Sequence, residues 1–121
     1  MFDTNFLFVP IREKIDIFTQ IKESFPGKKE MIVLQDSIME LEKLKNKGIK
    51  DAELALENLL KQKVNVVSIE GVKDVDTKIL NFAIKQNAFI ATNDKELRKR
   101  AKEAGVQSLV FNQGKKRITV V

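Results

Sequence analysis

The chain of 121 residues contains no histidine and no cysteine, and its 22 Lys and Arg outnumber its 17 Asp and Glu. At this length one domain buries a single core, and imidazole bases, thiolate nucleophiles, Cys/His zinc sites and Ser-His-Asp triads are excluded. With Tyr and Trp absent as well, any chemistry falls to carboxylates, amines, hydroxyls and amides, and such carboxylates favour hard cations such as magnesium or manganese.

The net charge of +5 and an isoelectric point near 9.5 suit a polyanionic partner, since Lys and Arg neutralise phosphates whatever the sequence. They equally suit a lysine-rich, solvated surface. No apolar run is long enough to span a membrane, and the N-terminus lacks the basic-then-apolar pattern of a signal peptide. A cytoplasmic location, with no membrane partner, is the default expectation.

Met1-Phe2 is a short apolar start that stops at Asp3-Thr4-Asn5. Ile11, Ile15, Phe18, Ile21 and Phe25 then recur at helical spacing and predict one amphipathic helix, closed by Pro26-Gly27. Residues 31–34 read as a strand. Asp36-Ser37 supplies capping side chains for a helix that turns Ile38, Leu41 and Leu44 inward and ends at Gly48. A further helix covers about 50–61, with Ala52, Ala55, Leu56 and Leu59 inward, and 64–68 is the next strand. After Glu70-Gly71, Asp74-Val75-Asp76 opens a helix carrying Ile79, Phe82 and Ala83. The strand at 88–91 runs into Thr92-Asn93-Asp94, and a helix with Leu97, Ala101 and Ala104 begins at once. Residues 106–111 make a fifth strand, while 117–121 add an edge strand or stay loose. The alternation predicts an α/β class: one three-layer α/β/α domain over 1–121 with a mainly parallel five-stranded sheet.

In such a sheet, strand ends and helix starts share one rim, where ligands bind and helix N-termini favour negative charge. Asp3 ends the first strand, Glu40 lies one turn into a helix, Asp76 starts another, and Asp94 ends the strand at 88–91. Carboxylates gathered there repel one another unless a cation neutralises them. A divalent ion is the natural remedy, and it can activate water and offset charge on a phosphoryl oxygen. Each acid also has a structural reading. Ser37 and Glu40 fit an S-x-x-E capping box, Asn93 and Glu96 form a similar pair that leaves Asp94 exposed, and Asp74 and Asp76 are both common helix-start residues. A glycine-rich phosphate loop is absent, and Val67-Ser68-Ile69 stands where a receiver domain would need its phosphorylated aspartate.

The opening Phe2-Asp-Thr-Asn-Phe-Leu7, the segment Asp36-Ser-Ile-Met-Glu-Leu41, the helix start Val75-Asp-Thr-Lys-Ile-Leu80 and the stretch Ile90-Ala-Thr-Asn-Asp-Lys-Glu-Leu97 together resemble the successive motifs of PIN domains. The likeness is greatest to small archaeal single-domain PIN proteins, relatives of the toxin ribonucleases and of the eukaryotic small-subunit rRNA processing nucleases. It extends from Met1 to about Phe111. The resemblance implies a compact α/β fold and metal-dependent endonucleolytic cleavage of RNA, with Mg2+ or Mn2+ held by Asp3, Glu40, Asp76 and Asp94. Thr92 would bond Asp3 or a ligand water, and Asn5 would hold the first turn. Glu96 stands near a further acid that some PIN proteins use, or else caps its helix. Asp74 competes with Asp76 at the third motif, though its spacing to Ile79 fits less well. Arg12, Lys14, Lys95, Arg98, Lys99 and Arg100 would grip the RNA, or else form solvated faces. Three roles follow: RNA processing or turnover, a toxin ribonuclease paired with a small antitoxin, or a PIN-like scaffold that binds RNA without cutting it. Homodimers are a habit of the family.

Overall fold

Residues 1–121 are all described by the computed structural model. Asp3 turns the chain almost as soon as it starts: its carboxylate accepts the Thr4 N–H and caps a 3-10 turn, Thr4–Phe8. Helix α1 (Val9–Glu13) follows, with Pro10 in its first turn, where its missing N–H costs nothing. The single helix expected across 11–25 is two helices. Lys14 adopts a left-handed backbone, φ +56, which ends α1, and Asp16 starts α2 (Ile17–Ser24) by accepting from the Thr19 N–H. The apolar spacing survives the break because Ile11 and Ile15 still pack against the core that Phe18 and Ile21 enter.

Strand β1 (Met31–Leu34) leads into α3 (Gln35–Asn46), then α4 (Lys50–Leu60), β2 (Val64–Val67), α5 (Val75–Gln86), β3 (Ile90–Ala91), α6 (Lys95–Glu103), β4 (Ser108–Asn112) and β5 (Arg117–Val120). β1 pairs in parallel with β2, and β3 in parallel with β4. The expectation of a five-stranded, mainly parallel sheet needs correction. The strands form a pair and a triple, joined by Phe2, which bridges Val33 on one side and Ala91 on the other. Only that one residue of the N-terminal segment pairs as a strand, because Asp3 already bends the chain away. β5 is antiparallel to β4, since the turn between them is far too short for the crossover that a parallel neighbour needs.

Alternate strand residues face opposite sides of a sheet, and the burial follows that rule. Met31, Val33, Ala91 and Phe2 join one cluster with residues of α2, α3 and α4, while Leu34, Ile90 and Met1 join another with Ile79 and Ala83 of α5 and Leu97 and Ala101 of α6. Helices therefore cover both faces, and the chain reverses after Phe2, Leu34 and Ala91 at one shared rim. No helix is long and apolar enough to cross a membrane.

Candidate active site at the carboxylate rim

Asp3 is fixed to this rim by its backbone, whose N–H donates to the Ala91 carbonyl at 2.9 Å. Its side chain is buried, with 6% exposure. Oδ1 accepts from the Thr4 N–H at 2.8 Å and Oδ2 from the Thr92 hydroxyl at 2.7 Å. Thr92 is wholly buried, and its oxygen also accepts from the Asp94 N–H at 3.0 Å. One hydroxyl thus orients Asp3 and positions the backbone of Asp94.

Asp94 caps α6: Oδ1 accepts from the N–H groups of Glu96 and Leu97, at 2.8 and 3.3 Å. The expected capping pair of Asn93 and Glu96 does not form. Asn93 accepts instead from the Phe111 N–H at 2.9 Å, tying the loop to β4, and its own N–H donates to the side-chain oxygen of Asn5 at 3.3 Å. Asn5 therefore links the first turn to the loop after β3. Glu96 is exposed in the first turn of α6. At the start of α5 the cap is Asp74, which accepts from Thr77 and pairs with Arg100 at 3.5 Å. These bonds hold its carboxyl below the ordinary range. Asp76, one residue into the helix, has no hydrogen-bond partner of this kind.

Burial raises the Asp3 carboxyl above its ordinary value of 3.8, the Thr92 and Thr4 bonds oppose this, and the charges of Asp76 and Asp94 add to the rise. Asp76 is raised by burial and then by Asp94 and Asp74, against a smaller pull from Arg100. The charges of Asp76 and Asp94 thus reach Asp3, and that of Asp94 reaches Asp76. Glu40 is not among the charges that shift them. It is exposed on α3, and the Ser37–Glu40 capping box is not formed: α3 begins at Gln35, so Ser37 lies inside the helix, where it accepts from the Thr4 hydroxyl at 2.7 Å.

Two features went unread in the sequence. The buried Ser37 joins Thr4 to α3, and Lys78 of α5, only 9% exposed, reaches Asp36 of α3 at 2.8 Å. The signal available for both was the position of Asp36-Ser37 directly after a strand end, the same placement that marked Asp3 and Asp94. Among the cations, Arg12 pairs with Asp51 at 3.2 Å and lies 4.4 Å over the Phe8 ring. Arg100 is held by Asp74 and by the Thr77 hydroxyl at 2.9 Å. Lys14, Lys95 and Lys99 are exposed and Arg98 is half-buried.

The donor set is one of hard oxygens, and it suits a divalent ion by charge. Arg100 offsets only the smaller part of the repulsion at Asp76, and Asp94 Oδ2 and the Asp76 carboxylate have no protein donor. No group of three acids is already gathered tightly enough to hold an ion. Residues 1–114 match the model of a family described as PIN-like domain. The chain belongs to the PIN-like domain family. It is 33% identical over 117 residues to ribonuclease VapC4 of Methanocaldococcus jannaschii, covering 93% of this chain and 89% of that protein. Ribonuclease VapC9 of Archaeoglobus fulgidus is 29% identical over 104 residues, covering 86% and 76%. Among solved structures, the PIN domain endonuclease Utp24 aligns with a TM-score of 0.81 and 26% identity, over 98% of this chain and 87% of that one. The fold expected of a PIN domain is thus present, with its sheet divided as described.

Proposed function

We propose that this PIN-like protein is a metal-dependent endoribonuclease that hydrolyses phosphodiester bonds of single-stranded RNA, in RNA processing or turnover. The observation that carries the reading is the buried Asp3, held by Thr92 and facing the repelling charges of Asp76 and Asp94. Asp3, Glu40, Asp76 and Asp94 would hold the ion, Mg2+ or Mn2+, which supplies activation of water and offsets charge at the phosphoryl group. Thr92 fixes the Asp3 carboxylate in one orientation, as an outer hydroxyl does for many metal-binding acids. Asn5 and Asn93 hold the two rim turns together, and Lys78 neutralises Asp36 so that its charge does not join the acid set. Lys14, Lys95, Arg98 and Lys99 would meet phosphates. Arg12 and Arg100, already engaged by Asp51 and Asp74, would contribute less.

A second reading, a toxin ribonuclease restrained by an antitoxin protein and acting as a homodimer, draws support from the likeness to two VapC ribonucleases. Labelled single-stranded RNA incubated with and without Mn2+, beside Asp3→Asn and Asp94→Asn, tests the site. Cleavage that needs the ion and is lost in both variants is expected. Equal cleavage by variants and wild type would discard the assignment, and ion-independent RNA binding with no cleavage at all would leave the scaffold reading.

A further inference from the structure

Helix α6 divides its surface three ways. Leu97 and Ala101 enter the core, Arg100 turns to α5, and Lys95, Arg98, Lys99 and Lys102 fall at i, i+3, i+4 and i+7 on one outer stripe. The stripe lines a groove of about 730 Å3 between α6 and the start of β4, with Gln107, Ser108 and Val121, which pairs with Ser108, on its far wall. No aspartate or glutamate lines the groove. None of these four cations has an acid within ion-pair distance, as holds for every Lys and Arg except Arg12, Lys50, Lys78 and Arg100; what sets the four apart is that they line one groove together. Like charges at such spacings destabilise a helix.

The groove begins one residue after Asp94, at the acid rim. Lys102 lies about 10 Å further along the axis at ~1.5 Å per residue. Ser108 begins β4 and so marks the sheet edge opposite the rim. We infer that this groove binds the sugar-phosphate backbone of single-stranded RNA, carrying the stretch of strand that flanks the scissile bond. The identity of the polyanion rests on the ribonuclease reading; the anion site itself rests on four cations lining one groove that no aspartate or glutamate enters. A backbone-only contact suits a chain with no Tyr or Trp for base stacking, and it makes binding depend on salt rather than on sequence.

The test is fluorescence anisotropy of labelled oligouridylate with the Asp3→Asn protein in EDTA, where cleavage plays no part. Each phosphate contact on a single strand releases ~0.7 counterion, so it is worth about fivefold in affinity at ~0.1 M salt. Lys99→Gln with Lys102→Gln is expected to weaken binding by about 20-fold and to flatten the log–log salt slope by about 1.4. Lys43→Gln with Lys45→Gln, exposed on α3, is expected to change neither value. Equal losses in the two double variants, or an unchanged affinity and slope for the α6 pair, would overturn the inference. So would a polyglutamate peptide that binds the groove while oligouridylate does not. A wild type that cuts nothing yet shows the α6-specific loss would sink the ribonuclease reading and leave the groove as an RNA-backbone site.

Discussion

The two regions that meet at Asp94 carry opposite charges and the same defect. On the rim, Asp3, Asp76 and Asp94 repel one another and raise two of their own pKa values. Along the α6 stripe, Lys95, Arg98, Lys99 and Lys102 crowd together without an acid. Between the regions the chain neutralises charge competently, with Arg100 bridging Asp74 and Thr77 and Lys78 buried against Asp36. The contrast is one of density: acids gather on one surface and cations line a single groove on the adjoining one. A fold tolerates such costs where something outside the chain relieves them, a cation in one place and a polyanion in the other.

The comparison breaks most sharply at Thr92. Thr92→Val keeps the shape but strips a donor from the buried Asp3 and an acceptor from the Asp94 N–H. The loss of stability is expected to be about 1–3 kcal/mol, the cost of leaving buried polar groups unpaired, measured by urea unfolding. RNA cleavage should fall with it, and an unchanged midpoint would show that the hydroxyl organises nothing. Lys78→Met comes next. It leaves Asp36 without its cation at a partly buried position and adds a negative charge to the rim, at an expected cost of about 1 kcal/mol. Combining it with Asp36→Leu should recover most of that loss.

The smallest effect carries the clearest sign. Asp76 has no hydrogen bond to lose, and its raised pKa means that the folded state binds its proton more tightly than the unfolded chain does. Its charge therefore costs nothing well below the ordinary value of 3.8, begins to cost as pH rises past that value, and costs fully above the raised folded value. Asp76→Asn in EDTA is expected to raise the melting temperature at neutral pH by about 2 °C, for ~0.5 kcal/mol of relieved repulsion. The gain should shrink as pH falls through the raised folded value and vanish only well below 3.8. Asp16 and Asp74, whose pKa values are lowered, lose their stabilisation below 3.8 in wild type and variant alike, so the difference between the two proteins reports Asp76. A gain that persists unchanged at low pH would contradict the assigned repulsion.

Much of this arrangement could be read from the residues. The apolar stripes of α3 to α6 and the runs at β1, β2 and β4 have strong periods, and the placement of Asp3 and Asp94 just past strand ends was enough to bring them to one rim. What escaped depended on single backbone or long-range events. The left-handed Lys14 and the Asp16 cap broke a helix whose apolar spacing continued unbroken. Asn93 left its local helix for the N–H of Phe111, eighteen positions away, and so gave the cap to Asp94. The Lys78–Asp36 pair spans 42 positions, a separation at which no local pattern speaks, and a lysine among many is ordinarily a solvated one.

Isothermal titration of Mn2+ into the metal-free protein tests the rim most directly. The wild type should bind with a saturable heat, and Asp3→Asn, shown to be folded by circular dichroism, should lose it. Saturable binding of equal affinity in both proteins would contradict a cation site built on Asp3.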